Sequence, residues 1–128
     1  MKKVSILKIG IISIVFVSIG TSQIKSIVPL EANKHIGKIV EVCGTVVTAY
    51  HDEEVPNSPT YLNLDEAYPN QIFTIFIPGS ARNKFDTPPD SIFLNKEVCV
   101  IGLVKEYNNK PEMVVNNPTQ IRIVHLND

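Results

Sequence analysis

The stretch GKIVEVCGTVVTAY, residues 37–50, constrains the chain more than any other. Val40, Val42, Gly44 and Val46 alternate with Glu41, Cys43, Thr45 and Val47. Period-two alternation and β-branched enrichment specify a strand. A second stretch of the same kind runs from Asn95 to Tyr107. There Val98, Val100, Gly102 and Val104 point one way, and Cys99, Ile101 and Leu103 the other. Each stretch carries one interior glycine, where a strand bulges or coils sharply. Nothing around the two stretches matches, so they are not a repeat. Both read as long strands of a small barrel.

Shorter elements lie between and after them. The acidic loop at 51–59 leads to TYLNL, with Leu62 and Leu64 on one face and Tyr61 and Asn63 on the other. The turn DEAYPN follows, then the strand QIFTIFI. Phe73, Ile75 and Ile77 share one of its faces; Ile72, Thr74 and Phe76 share the other. Residues 80–85 are expected as a short helix with Ser80 as N-cap, and 86–93 as a proline-rich connection. After the second long strand come an Asn108-Asn109 turn and a fifth strand from Pro111. That strand is interrupted at residues 116–118, and TQIRIV ends it or adds a last short strand.

The N-terminus is of a different kind. Lys2, Lys3 and Lys8 make a basic start, residues 9–19 are almost wholly apolar, and Gly20, Thr21 and Ser22 are small. These are the parts of a secretory signal peptide. The apolar run is shorter than the ~20 residues that span a bilayer. Residues 1–22 are therefore expected to be a signal peptide, or alternatively an uncleaved membrane anchor. The protein is accordingly expected to be exported, periplasmic or secreted, or alternatively membrane-anchored by this segment. Residues 23–32 are expected as a linker and 33–126 as the domain. Without the first 22 residues the chain keeps 9 basic against 13 acidic side chains, net −4. Such a domain has no basic excess to draw it to a polyanion non-specifically.

Five strands, with a helix between the third and fourth, is the order of the OB-fold, a partly open Greek-key barrel. The stretches HIGKIVEVCGTVV, PTYLNLDEAYPNQIFTIFI, KEVCVIGLVKEYNNKPEMVV and NPTQI resemble a family of small bacterial OB-fold domains. That family has exported members and members fused to secreted nucleases. The resemblance covers about residues 33–124 and rests on G-K-x-V-x-V-x-G-x-V, P-T-x-L-N-L and K-P-E-x-V-V. It implies an all-β five-stranded barrel that binds nucleic acid, single-stranded DNA or RNA. The acidic balance departs from well-characterised nucleic-acid OB domains. It favours the competing expectation, an exported module that binds an envelope or secreted protein, or a small ligand. An accessory role in a nuclease system is a third.

OB domains bind on the face of the second and third strands. That assigns Tyr61, Asn63, Thr74 and Phe76 to the binding face, the rings for stacking and the polar groups for hydrogen bonds. The alternative is that Tyr61 and Phe76 pair across the hairpin and cover the barrel. Arg82, Lys84, Lys105 and Lys110 are the candidate phosphate contacts, with Tyr107 beside the Asn108-Asn109 turn. Scattered lysines interleaved with acids are more often ordinary solvated surface.

Metal, cofactor and catalytic signals are not expected. The loop from His51 to Glu54 has no calcium-loop spacing, and His35, His51 and His125 are dispersed without zinc spacing. No nucleophile–base pair or cofactor fingerprint is present, which favours a binding module over an enzyme. In an OB-fold the first and fourth strands are neighbours, so Cys43 and Cys99, both on the outward phase, are expected to form a disulfide if the protein is exported. Two reduced cysteines on strand surfaces is the alternative.

Overall fold

The computed structural model describes residues 10–15 and 23–125 of the chain. The expected signal or anchor segment lies outside the described residues, apart from 10–15, which have no regular structure. No helix among the described residues is long and apolar enough to cross a membrane.

Two long strands organise everything else. They are β2 (Ile39–His51) and β5 (Glu97–Tyr107). The other elements are β1 (Ser26–Ile27), β3 (Thr60–Leu64), β4 (Thr74–Ile77), β6 (Lys110–Val114) and β7 (Ile121–Ile123). The first half of β2 pairs antiparallel with β5, and its second half with β3. β3 pairs with β4, β4 runs parallel to β6, and β6 returns antiparallel to β5. The circuit β2-β3-β4-β6-β5-β2 is closed. It is an all-β, five-stranded OB-fold barrel, as expected from the strand order. β1 and β7 extend the β2–β5 side outward.

Closure by these strands is what the sequence pattern demands. Val42, Val46, Leu62, Leu64, Phe73, Ile75, Ile77, Val98, Val100, Val104 and Met113 are fully buried and fill the barrel. At ~25 cal/mol per Å² of apolar surface, this interior is the main favourable term in folding. Two helical turns, α1 (Gly79–Arg82) and α2 (Pro89–Ile92), connect β4 to β5. Phe85 and Phe93 meet edge to face beside them, ring centroids 5.9 Å apart, and pack against the core.

Several local expectations are corrected. The helix begins at Gly79 with Pro78 as N-cap; Ser80 is not the cap. The proline-rich connection contains α2, because Pro89 presets the first helical φ. The segment expected as a linker carries β1 and the start of a 3-10 helix, Pro29–Lys34, and buries Ile27, Pro29 and Ala32. Of the two readings of the last segment, the structure has the separate short strand, β7, against β5.

The bulge is also elsewhere. Gly44 sits in regular register opposite Val98. It is glycine for close approach: a Cβ there would lie 2.7 Å from Pro29 Cγ and 2.8 Å from Asp65 Oδ1. The register breaks instead between Val46 and Thr48. One extra residue shifts the side-chain phase, so Val46 faces Leu64 inside the barrel while Thr48 pairs with Asn63 and Tyr50 with Tyr61.

Cys43 and Cys99 are opposite one another in the β2–β5 ladder and form a disulfide. It joins the two long strands on the outer side of the sheet, across 56 residues of sequence.

Candidate ligand groove

The shifted phase of β2 builds the outer face of the β2-β3-β4-β6-β5 side. Side chains on this face stand in rows across the strands. One row reads Thr48, Asn63, Thr74, Glu112, Lys105; the next reads Tyr50, Tyr61, Phe76, Val114. In the first row Asn63 Nδ2 donates to Thr48 Oγ1 at 2.9 Å, and Thr74 Oγ1 donates to Asn63 Oδ1 at 2.8 Å. Asn63 and Thr74 are buried, so this ladder is a satisfied polar floor.

Above the floor is a groove of about 910 Å³, within the size range of small-ligand sites. Its walls come from the β2–β3 face, the loop holding Tyr68, Pro69 and Gln71, and the β5–β6 turn. Tyr50, Tyr61, Tyr68 and Tyr107 all line it, and they are every tyrosine in the chain. The turn is set by Asn108 and Asn109, with φ of 49° and 62°. Two consecutive left-handed residues make the two-residue hairpin that asparagine tolerates. That hairpin sets Tyr107 and Lys110 side by side at the end of the groove.

The groove is acidic. Asp52 and Glu112 line it, against Lys110. Burial pushes the Tyr61 phenol above its ordinary value, and the charges of Asp52 and Glu112 add to that. Burial likewise raises the carboxyl of half-buried Glu112, while Lys105 across the strand pulls it the other way. The Gln71 Oε1 atom is buried without a hydrogen-bond partner.

Of the residues picked out by sequence, Tyr61, Asn63, Thr74, Tyr107 and Lys110 come together here. The other four do not line the groove. Phe76 packs edge to face on Tyr61, centroids 5.5 Å apart, so the aromatic pair expected as the alternative is formed. Arg82 Nη1 donates to Asp90 Oδ1 at 2.6 Å and to Thr60 Oγ1 at 2.8 Å. Lys84 Nζ donates to the Asn116 carbonyl at 3.0 Å. Lys105 flanks the groove beside Glu112. Even Lys110 is engaged, its Nζ donating to the Pro69 carbonyl at 2.9 Å. Thr48, Tyr50, Asp52, Tyr68, Gln71 and Glu112 were not among the residues picked out by sequence.

One set of metal-ligating atoms lies close together. Atoms of Glu41, Cys43 and Cys99 are within 4.8 Å of one another. The sulfurs are bonded to each other, whereas a metal takes thiolates, so the oxidised protein offers no ligand set there.

No family model and no curated protein matches the chain. Among solved structures, it is similar to one described as an aspartyl-tRNA synthetase from Leishmania major Friedlin. The TM-score is 0.50 at 12% identity, over 83% of this chain and 22% of that one. It is also similar to the aspartyl tRNA synthetase from Entamoeba histolytica, at a TM-score of 0.47 and 16% identity, over 77% of this chain and 21% of that one. The chain thus spans about a fifth of the length of either structure. At 12% identity the likeness to the Leishmania major structure is one of fold alone.

Proposed function

We propose that this protein is a non-catalytic OB-fold module that binds single-stranded nucleic acid in the tyrosine groove. The observation that carries the reading is the convergence of all four tyrosines on one groove. This is the barrel face on which OB domains hold oligonucleotides and oligosaccharides. Base–aromatic stacking there contributes ~1–3 kcal/mol per base. The neighbour from Leishmania major is named for a tRNA, which agrees with a nucleic-acid ligand for this fold. The mode of binding differs from a phosphate clamp. Arg82, Lys84 and Lys110 already have partners within the protein, and two carboxylates stand in the groove. The bases, rather than the backbone, supply the affinity.

The N-terminal pattern of basic, apolar and small residues supports export. A disulfide persists in an oxidising compartment, which agrees with it. A second reading, an exported module for an envelope protein or a small ligand, is favoured by the acidity of the groove.

Chemical-shift mapping of a single-stranded oligonucleotide on the labelled protein tests the first reading. Shifts gathered at Thr48, Tyr61, Asn63 and Tyr107 support it. Shifts confined to the opposite side, around the exposed pair Ile39 and Leu103, contradict it.

A further inference from the structure

The groove holds acceptors that no side chain pairs. Glu112 lies across from Thr74 on one side and Lys105 on the other. Its carboxylate lines the groove, half-buried, and no described residue forms a salt bridge or side-chain hydrogen bond with it. Gln71 Oε1 is a second acceptor, buried and unpaired. Lys110 donates to Pro69, and Asn63 and Thr74 donate within the floor ladder; Lys105 and the groove tyrosines make no side-chain hydrogen bond or salt bridge with Glu112. A polar acceptor removed from water without a partner is costly, so a ligand that brings donors gains most here.

Nucleobases differ in that respect. Guanine presents N1–H and N2–H₂ side by side and parallel, matching the two oxygens of a carboxylate. Cytosine and adenine present one amino group beside a ring-nitrogen acceptor. Thymine and uracil present one N–H between two carbonyl oxygens, which a carboxylate repels. Phosphates are repelled by Glu112 and Asp52 alike.

Resting on the reading above, we infer that the groove selects guanine: the Glu112 carboxylate accepts from N1–H and N2–H₂ while a groove tyrosine stacks on the base. Tyr50, Tyr61 and Tyr107 line the same groove as Glu112. The specificity sits in a base edge, without a basic patch. The guanidinium of an arginine-rich peptide offers a similar donor pair; the fold favours the nucleic acid.

The test uses the full chain and three labelled ten-nucleotide single strands. One is all thymine, one carries a single central guanine, and one carries inosine at that place. Anisotropy titration should show the guanine strand binding roughly 5- to 150-fold more tightly than the thymine strand, the range of one good bidentate contact. Inosine, which lacks the N2 amino group, should fall between them. Glu112→Gln should bring the guanine strand close to the thymine strand. Equal affinity of wild type for guanine and thymine strands overturns the inference and leaves the nucleic-acid reading standing. No binding of any strand at low salt overturns both. An arginine-rich peptide that displaces the guanine strand and binds more tightly than it also overturns the inference. The inosine comparison needs no variant, so misfolding of Glu112→Gln does not shield the claim.

Discussion

Thr48 pairs with Asn63 on the outer face of the barrel, although strict alternation from buried Val46 would turn it inward. The register shift between Val46 and Thr48 makes the difference. It brings Thr48 and Tyr50 onto the groove side and lets the hydroxyl of Thr48 accept from Asn63. Thr48→Val should keep the bulge and leave the Asn63 side-chain amide without that acceptor. We expect a loss of about 1–3 kcal/mol from the unpaired amide alone. Urea unfolding measures it, and an unchanged midpoint contradicts the Thr48–Asn63 pairing.

Glycine 44 should be far less replaceable than glycine 102. A methyl at Gly44 meets the buried Pro29 ring and Asp65 Oδ1, which accepts from the Thr45 amide at 2.8 Å. A methyl at Gly102 meets the Met113 side chain at 3.0 Å, and methionine adapts. Gly44→Ala should cost about 1–3 kcal/mol and Gly102→Ala clearly less. Equal losses in denaturant unfolding would contradict the close-approach account.

Reduction of the Cys43–Cys99 disulfide should lower stability by about 2–4 kcal/mol, since 56 residues separate the two positions. The barrel should still form, because its apolar interior does not include the sulfurs. Parallel urea curves of wild type and Cys43→Ser/Cys99→Ser check this. A difference within error means the bond does not constrain the unfolded chain.

Glu112 should make stability fall as pH rises. Its carboxyl titrates above the ordinary glutamate value of 4.5, chiefly through burial. The folded state therefore holds a proton that the unfolded state has released, and stability declines with pH between 4.5 and the raised value. Asp52, Lys105, Lys110 and the phenols of Tyr50, Tyr61 and Tyr107 are the titratable groups around the groove. Glu112→Gln should flatten the profile there. A variant whose profile parallels wild type assigns the slope to another group.

The barrel was legible in the sequence because β5 and the first half of β2 alternate cleanly and their inward positions are valine or glycine. The groove was half legible. Tyr61, Asn63 and Thr74 follow from local alternation on β3 and β4, and Tyr107 and Lys110 from the asparagine turn. Tyr50 and Thr48 were hidden by a phase shift that no local pattern marks. Glu112 was hidden because its neighbour Thr74 arrives through the parallel β4–β6 pairing, which joins residues 38 positions apart. The cations were misleading for a different reason. Sequence shows that Arg82 carries charge, but only the fold shows that Asp90 and Thr60 occupy it.

The central claim is that single-stranded nucleic acid binds in the tyrosine groove through its bases. The most direct measurement is anisotropy titration of a mixed-sequence single strand with wild type, Tyr107→Ala and Tyr50→Ala, at low and physiological salt. Both tyrosines are largely exposed, 63% and 59%, so their removal should leave the fold intact. The account predicts a 5- to 150-fold loss of affinity for each variant, from ~1–3 kcal/mol of stacking. It also predicts a salt slope shallower than that of two neutralised phosphates. Absence of binding at low salt, or binding that is steeply salt-dependent and indifferent to both tyrosines, would contradict it.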